Sequence, residues 1–410
     1  MAVAGISPSL IDALINEMGP SFPEHVPGTR PIHSKGVGVA GVFVASQAAR
    51  QYCTAKHFDG SSTPVTVRFS NGNGQLDPDG RLQVRGMAVK FFAGGTREPD
   101  HGRAHSDQNT LAGIGRVEDL PVVAKPGERV EKTDLVLMSV PVFMAQTAER
   151  LLEFEKSYRA RKVRRPSLAK RIKSLVTMCP LPPQEAGVTV SGNDGFLEWA
   201  RKYSPAQAFL LENSGQRLPT SYARVVYHAV HAFEVEGASG TRRMVRFSLE
   251  PSDGVQAAGP GDPVQSPIAA ALRPAAQNSY GLELPKDYLQ CELRDRLRYA
   301  ASRFNLRMQI ADPRDDTADP TTAWPMSRRR VLMGTLTLTH VPEDQIACCE
   351  ELSFNPGRLL PGMSLSDDPV LRDRSAVYEE SYRRRMAARR AAGASVPGTS
   401  ASTGCPMGLS

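Results

Sequence analysis

The sequence predicts an α+β fold organised around a large antiparallel sheet or barrel. Segments rich in Val and Phe, flanked by Gly and Asn turns, recur along the chain, and this pattern is typical of β-strands. Helical segments separate groups of these strands without the regular βαβ alternation that indicates a parallel sheet. At 410 residues, the chain is long enough to bury a large core in one or two domains.

The individual elements follow from the local spacing of apolar residues and from turn signals. The predicted strands are Gly36 to Ser46, Pro64 to Phe69, and residues 135–143, 221–234, 242–250, 306–311 and 332–340. The predicted helices are Pro8 to Met18, within a helical arm over residues 1–27, and residues 147–173, 194–203, 205–213 and 288–304. The polar segment 94–132 is predicted to be an insertion loop, and the Ala-, Gly- and Ser-rich segment 391–410 a disordered tail.

The first predicted strand contains a glycine pattern that resembles a nucleotide-binding motif. Gly36, Gly38 and Gly41 fit G-x-G-x-x-G. A dinucleotide site requires a helix directly after these glycines, whereas Val42 to Ala45 continues a strand pattern. The sequence therefore argues against a dinucleotide site here.

Charge and composition exclude several classes of protein. The formal net charge of +7 is concentrated in two basic runs, 159–173 and 383–390. Such runs can contact nucleic acid or anionic membranes, but neither run contains an aromatic residue, and exposed helix faces explain both. The N-terminal segment lacks the basic region of a signal peptide, and no apolar run reaches the ~20 residues of a transmembrane helix. We expect a cytoplasmic protein that contacts neither nucleic acid nor membrane, with its six cysteines as free thiols.

Arg374 and Tyr378 form the most informative pair in the chain. They are four residues apart, so on a helix the guanidinium and the phenol are neighbours. A nearby cation stabilises an ionised phenol, and a tyrosine side chain is one of the axial ligands that hold haem iron. The same spacing alone would also fit an ordinary exposed helix pair, so the rest of the chain has to decide.

Five separate segments, in the same order along the chain, resemble the haem catalase superfamily and especially the shorter catalase-related peroxidases. They are Arg30 to Gly36 (RPIHSKG), Val67 to Ser70 (VRFS), Val84 to Phe91 (VRGMAVKF), Asp134 to Phe143, and Phe354 to Tyr378. The resemblance implies a catalase-type antiparallel β-barrel with surrounding helices. It also implies one haem b, held within a domain that covers residues 28–390.

The resemblance assigns the residues on the two faces of the haem. His33 would be the catalytic acid–base on the distal face, opposite the iron ligand, and Ser70 would fix its ring. Tyr378 would bind the iron, and Arg374 would stabilise its phenolate, itself oriented by Asp368 and His231. The remaining assignments are Arg30, Arg68 and Arg385 as partners of the haem carboxylates and Phe143 as a wall of the pocket.

One position departs from the family pattern. Catalases carry an Asn that hydrogen-bonds bound peroxide, and the resemblance places Met138, followed by Ser139, at that point. Met cannot donate a hydrogen bond, and losing such a donor typically costs ~10²–10³ in rate. We therefore expect weak dismutation of hydrogen peroxide, unless Gln108 or Asn109 of the insertion replaces the amide.

These observations predict a haem-dependent peroxidase that reduces hydrogen peroxide or organic hydroperoxides at the expense of an organic reductant. A haem hydroperoxide isomerase, or a biosynthetic oxidising enzyme for a bulky substrate, is the alternative. A haem sensor or store is a third class, which His33 and Ser70 disfavour because a passive binder needs no oriented acid–base. Little sequence follows Tyr378, so we expect no NADPH site and a monomer or homodimer.

Overall fold

The protein is described from a computed structural model. The structure describes residues 5–18, 28–72, 78–80, 83–93, 131–159, 161–162, 189–190, 202–256 and 285–392.

Eight antiparallel strands form a closed barrel. In chain order they are β1 (Gly36–Ala45), β2 (Ser62–Asn71), β3 (Arg85–Ala93), β4 (Glu131–Met138), β5 (Tyr227–Glu236), β6 (Arg242–Pro251), β7 (Ser302–Ile310) and β8 (Arg330–His340). Around the ring the order is β5-β4-β3-β2-β1-β8-β7-β6, and pairing of β6 with β5 closes it. A short strand, β9 (Met363–Leu365), extends the sheet beside β5.

Six helices lie around the barrel: α1 (Pro8–Met18), α2 (Ala49–Tyr52), α3 (Ala148–Arg159), α4 (Ser204–Ser214), α5 (Tyr288–Tyr299) and α6 (Pro369–Ala391), among the described residues. The long helix α6 begins where it does because Asp368 caps it. One carboxylate oxygen of Asp368 accepts hydrogen bonds from the amides of Val370 (2.9 Å) and Leu371 (3.2 Å), and Pro369 suits the first helical position.

Alternate residues of each strand face the inside and the outside of the barrel. In β2, Val65, Val67 and Phe69 are completely buried inside the barrel, so the residues between them, including Arg68 and Ser70, lie on its outer face. Fully burying side chains of this kind contributes about 1.5–3 kcal/mol each. The cavity described below lies against this outer face of β2 to β4.

The glycines of β1 serve close packing, and the strand continues through Val42 to Ala45 as predicted. A Cβ atom at Gly36 would lie 2.6 Å from the guanidinium carbon of Arg68, and one at Gly38 would lie 2.7 Å from the Cβ of Cys349. Both contacts are shorter than real side chains allow. Glycine at these positions lets Arg68 and the turn Ile346–Glu350 lie directly on the strand.

Most predicted elements are confirmed, and helix α1 has the predicted bounds. Four of the predicted elements have wrong bounds. The strand predicted at 221–234 begins only at Tyr227, after a 3₁₀ turn at Tyr222–Arg224. The strand predicted at 135–143 runs from Glu131 to Met138, and the helix predicted at 147–173 ends at Arg159, where Arg161–Lys162 pairs with Thr189–Val190. The helix predicted at 288–304 ends at Tyr299.

Other predictions fall partly or wholly outside the described residues. These are the loop 94–130 with Gln108 and Asn109, most of the helix predicted at 194–203, and residues 393–410 of the tail. Of the described cysteines, Cys53, Cys348 and Cys349 are free thiols. Cys291 is disulfide-bonded, so the expectation of six free thiols is wrong for this residue.

Candidate active site

A cavity lies between the outer face of β2 to β4 and helix α6, and helices α1 and α3 cover its far end. Arg30, Arg68 and Arg385 line one end. The other end is mostly apolar, with Leu14, Met144, Leu151 and Val230 in its walls and Glu155 among them. His33 and Tyr378 both line the cavity.

His33 and Ser70 form a hydrogen-bonded pair on the barrel side. The Nδ1 atom of His33 lies 3.1 Å from the hydroxyl of Ser70. Gly86 faces Ser70 in the register of β2 with β3, and a Cβ there would lie 2.6 Å from the Ser70 hydroxyl and 2.8 Å from His33 Nδ1. The pair therefore depends on glycine at position 86.

The environment of His33 keeps its imidazole neutral near pH 7. Burial, and then the positive charge of Arg68, Arg374 and Arg30, lower the pKa of His33 to about 4. A neutral imidazole can accept a proton. The backbone of His33 is also unusual, because its φ of 53° is in the left-handed region, which costs roughly 1–2 kcal/mol for an L-residue.

Arg68 holds the loop that carries His33. Its Nη1 donates to the carbonyl of His33 (2.8 Å) and its Nη2 to the carbonyl of Ser34 (3.0 Å). Its Nε donates to Glu350 (2.8 Å), which also forms an ion pair with Arg30. Burial alone would raise the pKa of Glu350, but Arg68 and Arg30 hold it well below its usual range. Sequence reasoning missed Glu350.

The same end of the cavity has an excess of positive charge. Glu350 pairs with Arg30 and Arg68, whereas Arg385 feels its charge without an ion pair. Burial, and then the charge of Arg30, lower the pKa of Arg385 to about 9. The Nε of Arg385 is buried without a hydrogen-bond partner in the part of the chain that the structure describes. Buried charges need compensation, and the two carboxylates of a haem would supply it. These residues fit that group.

The side of the cavity opposite His33 carries the Arg374–Tyr378 pair. Both residues lie on α6, and Nη2 of Arg374 donates to the phenol oxygen of Tyr378 at 2.6 Å. The guanidinium also lies over two aromatic rings, 5.2 Å from the centroid of Tyr378 and 5.7 Å from that of Phe143. A tyrosine oxygen is one of the axial ligands that hold haem iron, and the oxygen of Tyr378 fits that role by its position.

Asp368 and His231 form a second buried pair nearby. The Nδ1 of His231 lies 2.6 Å from the Asp368 carboxylate, and burial lowers the pKa of His231. The Nε2 of His231 has no hydrogen-bond partner within the described ranges. The structure thus gives the two halves of the predicted relay, Asp368–His231 and Arg374–Tyr378, without a hydrogen bond that joins them in those ranges.

Met138 and Ser139 have different surroundings. Met138, the last residue of β4, lines the cavity. The Ser139 hydroxyl instead donates to the side-chain oxygen of Gln216 (2.8 Å) and accepts from the Arg85 amide (2.9 Å). Ser139 is therefore engaged outside the cavity and does not replace the missing amide.

A closed antiparallel barrel with a Tyr–Arg pair facing a His–Ser pair defines the class of a haem oxidoreductase. A sequence model described as Catalase matches residues 8–96 and 194–392. A catalase-related peroxidase of Mycolicibacterium paratuberculosis is 30% identical over 367 residues, covering 89% of this chain and 92% of the relative. One of Synechococcus elongatus is 26% identical, covering 94% and 90%. The chain belongs to the catalase family.

Solved structures agree on the fold. A fungal catalase superposes with a TM-score of 0.62 at 19% identity, covering 89% of this chain. The match covers only 60% of that catalase, and a bacterial catalase gives 59%. The chain thus spans about three fifths of the length of these catalases.

None of the described helices is long and apolar enough to cross a membrane.

Proposed function

We propose that the protein is a haem b peroxidase that reduces hydrogen peroxide or organic hydroperoxides and has only weak catalase activity. One observation carries the proposal: the His33–Ser70 pair faces the Arg374–Tyr378 pair across one cavity, and Met138 stands in the wall where catalases have an amide. The proposal places the haem-binding domain at residues 28–390, after a helical arm.

Tyr378 would be the iron ligand, and Arg374 would stabilise its phenolate. Arg30, Arg385 and any free donors of Arg68 would bind the two haem carboxylates, with Phe143 against the macrocycle. When bound, the haem supplies the electrons that cleave the O–O bond of a peroxide. The residues of this chain bind the cofactor, orient the peroxide and move its proton.

His33 is the proton carrier. Because Ser70 engages Nδ1 (3.1 Å), Nε2 is the nitrogen available to take a proton from the inner peroxide oxygen and deliver it to the departing one. The balanced reaction consumes one hydroperoxide, two electrons and two protons, and it gives one alcohol and one water. The electrons come from an organic reductant.

Met138 explains why peroxidase activity should exceed dismutation. Dismutation requires a second hydrogen peroxide to act as reductant, and a thioether cannot donate the hydrogen bond that would hold it. Ser139 cannot substitute, because its hydroxyl is bonded to Gln216. Gln108 and Asn109 stay candidates for that role.

The apolar end of the cavity favours a second candidate function. Leu14, Met144 and Leu151 give this end the surface of a site for a bulky organic molecule. The protein could then rearrange or oxidise a specific organic hydroperoxide instead of reducing it. We further propose a cytoplasmic monomer or homodimer without NADPH.

The deciding experiment compares oxygen release from hydrogen peroxide with loss of a bulky organic hydroperoxide in one preparation of the haem-loaded protein. Little oxygen and fast hydroperoxide loss support the proposal, and product analysis then separates reduction from rearrangement. Rapid oxygen release refutes the proposed weak catalase activity. The Tyr378→Phe variant tests the ligand: full haem content with an unchanged absorption spectrum would exclude Tyr378.

A further inference from the structure

The loop that carries His33 is strained at His33 itself. Among the described residues, His33 is the only non-glycine residue with a positive φ. Such a conformation persists only where surrounding contacts enforce it. The hydrogen bond of Ser70 fixes the imidazole ring, but it does not hold the backbone.

We propose that Arg68 is a positioning residue for His33, because it holds the strained loop in place. The proposal deepens the proposed function, on which its kinetic readout rests. Arg68 is 3% exposed, and its two terminal nitrogens donate to the consecutive carbonyls of His33 and Ser34. Two consecutive carbonyls bound by one rigid, planar group fix the orientation of the peptide unit between them, and with it the direction of the His33 side chain.

Glu350 holds the guanidinium of Arg68 from the other side. It accepts from the Nε of Arg68 at 2.8 Å and pairs with Arg30, and it belongs to the turn Ile346–Glu350, which packs on β1 and β2. Gly36 makes the arrangement possible, because a Cβ there would lie 2.6 Å from the Arg68 guanidinium carbon. Three of the five N–H groups of Arg68 are therefore committed to the protein.

Arg385, unlike Arg68, has a buried donor that is not used by the protein within the described ranges. Its Nη2 donates to the carbonyl of Leu352 at 2.9 Å, whereas its buried Nε has no partner within the described ranges. Arg385 thus has donors available for a ligand carboxylate.

The test replaces Arg68 by Lys. Lysine keeps the positive charge that attracts a carboxylate, but its compact ammonium group cannot hold two carbonyls and a carboxylate in one plane. We expect Arg68→Lys to react with peroxide at least ~10-fold more slowly per bound haem, since positioned acid–base catalysis contributes ~10²–10⁴. The exposed Arg303→Lys is the matched control for the substitution itself.

Two further readouts separate positioning from general damage. Hydrogen exchange of the amides of residues 32–36, followed by mass spectrometry in the haem-loaded protein, should be faster in Arg68→Lys and unchanged in Arg303→Lys. The pH midpoint below which the peroxide reaction slows should move upward in Arg68→Lys, because a released His33 is better hydrated and farther from the cation. Arg385→Lys should instead lower haem affinity without faster exchange at residues 32–36.

Unchanged exchange at residues 32–36 together with an unchanged rate per bound haem would overturn the proposal, whatever happens to haem affinity. Faster exchange with a slower rate and an upward pH midpoint supports it. If the parent protein itself does not react with peroxide, the proposed peroxidase function fails. The exchange measurement then still decides whether Arg68 holds the loop.

Discussion

Glu155 is a buried carboxyl group that the proposed reaction does not use, and removing its charge should stabilise the protein at high pH. It lies on α3, is 8% exposed and lines the apolar end of the cavity. It forms no hydrogen bond or ion pair with another described residue. Burial, and then the negative charge of Glu17, raise the pKa of Glu155 from 4.5 to about 7.

Because the pKa of Glu155 is higher in the folded protein than in the unfolded chain, Glu155 lowers the stability of the fold at high pH. Between pH 4.5 and about 7 the folded protein holds a proton on Glu155 that the unfolded chain has released, so stability falls as the pH rises through this window. Above it the full cost of the buried charge is present, and a shift of this size corresponds to at most about 3 kcal/mol. Glutamine has nearly the same shape and carries no charge. We therefore expect Glu155→Gln to be more stable than the parent at pH 8 by up to about 3 kcal/mol, and similar to it near pH 4.5.

The assay is thermal unfolding at pH 5 and pH 8, followed by circular dichroism. The exposed Glu149→Gln, in the first turn of the same helix, is the control and should move both midpoints alike. A gain for Glu155→Gln that is equal at the two pH values, or absent at pH 8, would refute the reasoning that Glu155 is buried without compensation.

Three other predictions concern the distal wall. The Met138→Asn variant should raise oxygen release from hydrogen peroxide about 10-fold or more, measured with an oxygen electrode against Met138→Leu; no gain would mean that the wall is not limiting. The Gly86→Ala variant should force Ser70 and His33 apart, because its Cβ would lie 2.6 and 2.8 Å from their polar atoms. It should slow the peroxide reaction at least ~10-fold. Gly215→Ala, which meets only ordinary contacts, is the control, and equal rates in the two variants would contradict the geometry. Since the pKa of His33 is lowered to about 4, its neutral form persists above that value. Stopped-flow rates should therefore be flat from pH 8 to 5.5 and fall toward pH 4, whereas a midpoint near 6.5 would show that His33 is not shielded in this way.

The sequence predicts the barrel well because strands buried on one side have a strong two-residue period. It fails at boundaries where tertiary contacts decide. The helix predicted at 288–304 is one example. Its last residues, from Ser302 onward, already alternate between exposed and buried positions, because Phe304 is completely buried inside the barrel. Burial of Phe304 outweighs the weak local preference for helix.

In the candidate site, too, some residues can be predicted from the sequence and others cannot. His33 with Ser70 and Arg374 with Tyr378 each form the hydrogen-bonded pair that the resemblance implies. The resemblance places Met138 and Ser139 together at the position of the catalase Asn. Successive residues of a strand face opposite ways, and of these two only Met138 lines the cavity. Glu350 was missed, since nothing in its local sequence marks it. The signal that could have found it is electrostatic: three arginines that converge on one end of a cavity require a carboxylate.

The ring of strands is closed unevenly. β1 and β8 share six register pairs, but β4 and β5 share one, Met138 with His228. Local opening starts where few hydrogen bonds resist it, and here that seam is also the wall of the cavity. The weakest strand pairing of the barrel therefore lies beside the candidate active site. On heating, the cofactor pocket should lose its shape while most of the barrel is still folded.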